Sequence, residues 1–233
     1  MTSSYPSPIV TVDTVIFSLI DHRLHVLLVE RQAPPAEGVW TLPGGFVHVD
    51  VDLDTEASAR RVLAQKAGVS VRHLEQLASF GSRDRDARGW SVSVAYLALM
   101  DGSQLPTVAG ARFVPVEMVE ALPFDHGEIL ARALQRIRDK SSYSSLPAFL
   151  LGPIFTLPQL QRVYEEVLGT PLNAAAFRRK VLVQELIEEV CSTPLLNPGR
   201  GRPAQFYRLR QNVLQDLGRV VMLPDPRRGN LGN

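Results

Sequence analysis

One stretch constrains the fold of this chain more than any other: Trp40 to Val69, reading WTLPGGFVHVDVDLDTEASARRVLAQKAGV. Pro43, Gly44 and Gly45 make a turn, an acidic loop follows, and a helical period then runs up to Gly68. The glycine pair permits positive φ and close backbone approach, so a strand can hand over to a loop that faces a ligand. Ala59, Val62, Leu63 and Ala67 recur at three- and four-residue spacing, which marks one buried helix face. Gly68 stands where a left-handed cap would end that helix. Asp50, Asp52, Asp54 and Glu56 read as a solvated loop with favourable charge at a helix N-terminus.

Around this stretch the chain alternates strands and helices. Ile9 to Ile20 is rich in Val, Ile and Thr, Asp21-His22 turns, and Leu24 to Glu30 returns, which predicts a hairpin. Strands are expected at Glu75–Gly81, Trp90–Met100 and Ala111–Val116, with the polar loop SRDRDARG between the first two. Asp125, His126 and Gly127 open a helix to about Lys140, with Leu130, Leu134 and Ile137 on one face. The run SSYSS at 141–145 is a polar break, and the domain boundary is placed there, between residues 1–145 and 146–233.

The second part has a different texture. Thr156 and Gln159 have capping-box spacing, so a helix starts there and ends at Gly169. Asn173 is an N-cap for a second helix, AAAFRRKVLVQ, and two strands follow, Leu186–Val190 and Gln205–Arg210, around a Pro- and Gly-rich loop. Two helices on a short turn and then a hairpin with a basic tip form the winged helix-turn-helix pattern. Thr156, Asn173, Arg178, Arg179, Lys180, Arg200 and Arg202 are the candidate DNA-binding residues, with Arg208 and Arg210 adding charge to the wing. An Arg on so small a tip can clamp phosphate or enter a minor groove.

Composition supports a division of labour. Residues 1–145 carry a net charge of −3 and residues 146–233 carry +4, as expected of a sensor joined to a nucleic-acid reader. Cys191 stands alone, which excludes an intrachain disulfide and suits the cytoplasm. The N-terminus lacks a signal-peptide pattern, and no apolar run reaches bilayer length, so no membrane partner is expected.

The stretch at Trp40–Val69 resembles the Nudix box, whose tail reads Arg-Glu-aliphatic-any-Glu-Glu-any-Gly-aliphatic. Here Arg61, Leu63, Gly68 and Val69 stand at the scaffold positions, while Val62, Gln65 and Lys66 replace the three glutamates. Those glutamates hold Mg²⁺ or Mn²⁺ against a diphosphate, so their loss predicts no catalytic residues and no metal site. With the second part included, the chain is similar to the NrtR family of Nudix-related transcriptional regulators of NAD metabolism. WTLPGGFV, FGSRDRDARGWSVSVAYLAL, FDHGEIL, FTLPQLQRVYEEVLG, NAAAFRRK and GRGRPAQFYRL carry the resemblance.

The resemblance implies an α+β chain: a Nudix-like α/β/α sandwich followed by a C-terminal winged helix-turn-helix domain. It implies a homodimeric repressor with no cofactor, bound to a palindromic double-stranded DNA operator and answering to ADP-ribose or a related nucleotide. The residues agree with an anionic ligand. Arg31, Arg83, Arg85 and Arg88 offer guanidinium forks for phosphate, or they pair internally with Asp84 and Asp86. Trp40, Phe46, Phe80 and Trp90 are candidates to stack on a base, Gly44 and Gly45 to approach the ligand, and His126 to touch it. Two alternatives stay open: a working hydrolase of ADP-ribose or another nucleoside-diphosphate sugar, and a regulator answering to a sugar or sugar phosphate.

Overall fold

The structure is a computed structural model that describes residues 7–104, 106, 108–190, 205–211 and 213–217. It divides into two compact units. The first runs to Ser18, resumes from His25 to Met100, and takes Gln104–Leu134; the second holds Leu19–Leu24, Asp101–Ser103 and the chain from Gln135 on.

The first unit is built on a seven-stranded mixed sheet. Strands β1 (Ile9–Ile20) and β2 (Arg23–Glu30) are joined by Asp21-His22, both at positive φ (49° and 63°), the backbone that tight hairpins favour. With β3 (Trp40–Thr41), β4 (Gly44–Phe46), β5 (His73–Ser82), β6 (Ser91–Met100) and β7 (Ala111–Pro115), the main order is β3-β2-β1-β6-β5. Strand β4 pairs with β1, and β7 pairs with β2. Strand β1 runs parallel to β6, from Ile9 opposite Ser91 to Ser18 opposite Met100. Both faces of β1 are buried, hence its near-continuous apolar sequence.

Helix α1 (Thr55–Ala67) covers one face of the sheet. Leu63 and Ala67 pack with Ile16, Leu27, Val29, Ala98 and Met100, while Ala59 and Val62 pack with Val12 and Tyr96. Local rules fix both ends of α1. Asp54 accepts the Ala57 N–H at 2.7 Å, and Gly68 closes the helix at φ 66°. The Thr55 and Tyr96 hydroxyls meet at 2.7 Å, tying the first turn to β6. Helix α2 (His126–Ser141) follows β7 and buries Ile129, Leu130, Ala133 and Ile137.

The second unit contains β8 (Phe155–Thr156), α3 (Leu157–Leu168), α4 (Ala174–Val183), β9 (Ile187–Val190) and β10 (Phe206–Leu209). A 3-10 turn at Leu146–Leu150 precedes them. The strands pair in the order β8-β10-β9. Tyr164 on α3 packs edge-on against Phe177 on α4 at 5.3 Å between ring centroids. The serines of the polar run at 141–145 are largely internal. Ser141, Ser144 and Ser145 are buried with their polar groups hydrogen-bonded, partly by residues distant in sequence. Ser144 Oγ donates to the Lys140 carbonyl at 2.7 Å, Ser145 Oγ accepts the Gln215 N–H at 2.8 Å, and the Tyr164 hydroxyl donates to the Ser144 carbonyl at 2.8 Å.

Candidate functional site

A cavity of about 400 Å³ opens in the first unit where β1, β2, β4, α1 and the loop after β5 converge. Five cationic side chains line it (Arg31, Arg61, Lys66, Arg85 and Arg88), together with three carboxylates, Asp13, Glu30 and Asp86. Phe46, Phe124, His48 and His126 complete much of the wall.

The glycine pair serves close approach here, not positive φ. A Cβ at Gly44 would lie 1.9 Å from Asp13 Oδ1, and one at Gly45 would lie 3.0 Å from Val62 Cγ2. Neither glycine has positive φ, because both belong to strand β4, opposite Val12 and Asp13 of β1. Their missing side chains let β4 close down on a buried carboxylate on one side and on α1 on the other.

That carboxylate, Asp13, is the centre of a buried polar network. Its Oδ2 accepts from Arg85 Nη2 at 2.9 Å and from Ser93 Oγ at 2.6 Å. Arg85 also grips Asp125 in a fork, through Nε at 2.8 Å and Nη2 at 2.9 Å. The Leu42 N–H donates to His126 Nδ1 at 3.2 Å, which leaves the ring proton on Nε2, 3.4 Å from Asp13 Oδ1. Burial pushes the Asp13 carboxyl up, but hydrogen bonds from His126 and Ser93 and the Arg85 charge outweigh it and hold it below its ordinary value. For Arg85, burial lowers the pKa and its two carboxylate partners more than restore it.

A second network holds the loop before α1. Arg61 clamps Asp52 with two hydrogen bonds of 2.7 Å and also donates to the Phe46 carbonyl at 2.9 Å. Asp52 further accepts from Ser58 Oγ at 2.5 Å and from the His48 N–H at 2.8 Å. The Arg61 hydrogen bonds, ahead of the burial that opposes them, hold the Asp52 carboxyl well below the usual range. Asp52 anchors the loop through these four donors, its side chain only 2% exposed, rather than standing as a solvated acid. Asp54 does fill the helix-start role expected of these acids.

Of the ligand-binding candidates, Arg31, Gly44, Gly45, Phe46, Arg85, Arg88 and His126 line the cavity. Trp40, Phe80, Arg83 and Trp90 are not among its lining residues. Trp40 lies beneath the Arg112 guanidinium, 3.9 Å from its ring centroid, and Phe80 is half-buried on β5. Arg83 and Trp90 are exposed, because the loop turns Arg85 and Asp86 inward instead. Arg88 pairs with Asp86 at 2.6 Å and sits 4.8 Å from the Phe46 ring centroid. Arg31 lies 5.1 Å from the Phe124 ring centroid and donates to the Pro35 carbonyl at 2.7 Å. Burial lowers the Arg31 pKa, and the charge of Arg88 adds to the effect.

Sequence reasoning missed Asp13, although a signal was present. A lone acid inside an apolar strand must find a buried partner. It also missed the three box replacements as cavity residues: Val62, Gln65 and Lys66 all line the wall. Among the described residues no group of three or more His, Cys, Asp or Glu is arranged to hold a metal ion. Nor, among them, is any helix long and apolar enough to cross a membrane.

In the second unit, Thr156 caps α3 in a reciprocal capping box with Gln159, and Asn173 caps α4 by accepting the Ala176 N–H at 3.0 Å. On α4, Phe177 and Val181 are buried, while Arg178 and Arg179 are exposed and have no ion pair among the described residues. Lys180 is half-buried, and that burial lowers its pKa. Arg208 and Arg210 are paired with Glu188 at 2.5 Å and Glu185 at 3.3 Å, rather than projecting as unopposed wing cations. Arg200 and Arg202 lie outside the described residues.

Comparison with known proteins matches this architecture twice over. Residues 10–136 match the NUDIX domain, and residues 147–209 match the NrtR DNA-binding winged helix domain. The chain is 40% identical over 220 residues to the ADPR responsive transcriptional repressor NtrR of Acinetobacter baylyi, covering 92% of this chain and 86% of that protein. It superposes on Shewanella oneidensis NrtR complexed with a 27mer DNA at TM-score 0.79 and 40% identity, covering 86% of this chain and 93% of the other. The isolated NUDIX domain of that protein, in complex with ADP ribose, matches at TM-score 0.54 and 37% identity over 58% of this chain and 92% of the other. With a Nudix domain, the matching winged helix and a relative this similar along nearly its whole length, the chain belongs to the NrtR family.

Proposed function

We propose that this protein is an ADP-ribose-responsive transcriptional repressor of NAD-metabolism genes, working in the cytoplasm as a homodimer on a palindromic operator. One observation carries the reading: a single chain holds both a cation-lined cavity and a helix, α4, whose Arg178 and Arg179 have no ion pair among the described residues. The family relatives supply the ligand and the DNA. The domains divide at 145/146. Arg31, Phe46, Arg88 and His126 contact the nucleotide, with Gly44 and Gly45 beneath it. Arg178, Arg179 and Lys180, with the wing arginines Arg200 and Arg202, contact an operator whose half-sites lie about one helical turn or a multiple apart.

The Nudix domain here is a receptor without the hydrolase chemistry. Hard divalent cations take anionic and neutral oxygen ligands. The residues that line the cavity in place of the box glutamates are an apolar side chain, a neutral amide and an ammonium: Val62, Gln65 and Lys66. That donor set does not fit Mg²⁺ or Mn²⁺. Incubation with ADP-ribose and either ion should show no turnover at ordinary enzyme rates, of order 1–10³ per second.

A DNA-binding titration at fixed salt, with and without ADP-ribose, tests the whole reading. The ligand should loosen the complex, with a coupling of roughly 1–3 kcal/mol that is reciprocal between the two sites. Unchanged DNA affinity at saturating, calorimetrically confirmed ADP-ribose would sink it.

A further inference from the structure

Four of the five cavity cations are engaged within the chain, and of these Arg31 is held by a carbonyl, donating to Pro35 at 2.7 Å. Arg61, Arg85 and Arg88 are each held by a carboxylate: Asp52 at 2.7 Å, Asp13 and Asp125 at 2.9 and 2.8 Å, and Asp86 at 2.6 Å. Lys66 is different. It is exposed on the last turn of α1, lines the cavity, and has no ion-pair partner among the described residues. Its neighbour Gln65 accepts from Arg61 Nη1 at 3.3 Å through its amide oxygen, which leaves the amide nitrogen as a donor. The Lys66 ammonium and the Gln65 amide nitrogen are therefore the donors that these two cavity-lining side chains can offer.

A divalent cation on a diphosphate lowers the repulsion between its oxygens by adding positive charge. An ammonium does the same with three rotatable N–H donors and no coordination geometry to satisfy. We infer that Lys66, assisted by the Gln65 amide, is a built-in substitute for the metal: it binds the diphosphate oxygens of a nucleoside-diphosphate ligand, so that binding is metal-independent. This rests on the nucleotide-receptor reading above and adds which residue holds the diphosphate and why no metal is required.

Isothermal titration of the full-length protein with ADP-ribose, in EDTA and in millimolar Mg²⁺, tests it. Wild-type affinity should be the same in both buffers. Lys66→Gln should weaken binding roughly 10- to 100-fold, the range of one charge-assisted hydrogen bond, with its unfolding midpoint unchanged. Lys66→Glu should bind poorly in EDTA and regain affinity with Mg²⁺. Wild-type-like affinity in Lys66→Gln, or wild-type binding that collapses in EDTA, would overturn the inference. Inorganic diphosphate as a second probe separates the two readings. If ADP-ribose gives no heat while diphosphate binds in EDTA and depends on Lys66, the named ligand falls and the inference stands. If neither probe binds, both fall.

Discussion

Helices α1 and α4 are both short, both capped at the N-terminus by a side chain that accepts a backbone N–H, and both carry a pair of adjacent arginines. They use them in opposite ways. On α1, Arg60 pairs with Glu56 one turn earlier, and Arg61 is taken up by Asp52, Ser58 and the Phe46 carbonyl. On α4, Arg178 and Arg179 are exposed with no ion pair among the described residues, while Phe177 and Val181 hold the opposite face in the core. An internally satisfied guanidinium positions the protein's own backbone. An unsatisfied one is available to an external anion. Within the cavity the two extremes are Arg85, held by Asp13 and Asp125, and Lys66, which has no ion pair among the described residues. Arg88 lies between them, paired with Asp86 but with its side chain 37% exposed.

If that sorting is right, the largest effect belongs to the most engaged cation. Arg85→Ala leaves Asp13, only 4% exposed, and Asp125 without their cation, and breaking a buried pair costs about 3–5 kcal/mol. Denaturant unfolding reads this directly, and a loss under about 1 kcal/mol would show that Arg85 is not structural. The reverse profile is expected on α4. Arg178→Ala and Arg179→Ala should each reduce operator affinity by about 1–3 kcal/mol and flatten its salt dependence. Their unfolding free energies should stay within about 0.5 kcal/mol of wild type, as at other exposed positions. Normal operator binding by the double variant would remove α4 as the reading element.

The same contrast separates what is legible in the sequence from what is not. Thr156 with Gln159, and Asn173, cap the helices they are expected to start, while within the acidic run the structure singles out Asp54 as the cap of α1. Gly68 and Gly169 end their helices at φ 66° and 67° for the same reason, since such signals span at most four or five residues. The cavity was harder. Asp13 meets Arg85 across 72 positions and Arg85 meets Asp125 across 40, and no local pattern links residues so far apart. Nothing in SRDRDARG distinguishes Arg85, which turns inward, from Arg83, which does not. The run at 141–145 reads as a break because composition registers polarity and cannot register that Gln215 and Tyr164 arrive to satisfy it.

Acid titration sharpens the comparison from the carboxylate side. Asp13, Asp52 and Asp86 all have folded-state pKa values below the ordinary value. Depressed carboxylates stabilise the fold fully above their unfolded pKa, near 4, and lose that contribution as pH falls toward the folded values. Unfolding midpoints should therefore be level near neutrality and fall below about pH 4. In Arg85→Ala the buried Asp13 loses its cation and its pKa rises, so the gap to wild type should narrow on acidification. A gap that widens instead would mean Arg85 does not stabilise the Asp13 anion.

The smallest effect is expected where an arginine is paired but exposed. Arg208 on β10 stands opposite Glu188 of β9 in the sheet register, with its side chain 62% exposed and that of Glu188 36% exposed. Solvent screens such a pair, and exposed ion pairs contribute about 0.2–1 kcal/mol at most. Arg208→Ala should therefore change stability by less than about 1 kcal/mol and leave operator affinity near wild type, because its charge is already answered by Glu188. Glu188→Gln provides the complementary arm: releasing Arg208 from its partner should strengthen DNA binding slightly at low salt. Equal losses of operator affinity in Arg208→Ala and Arg179→Ala would break the rule that internal pairing separates scaffold arginines from reading ones.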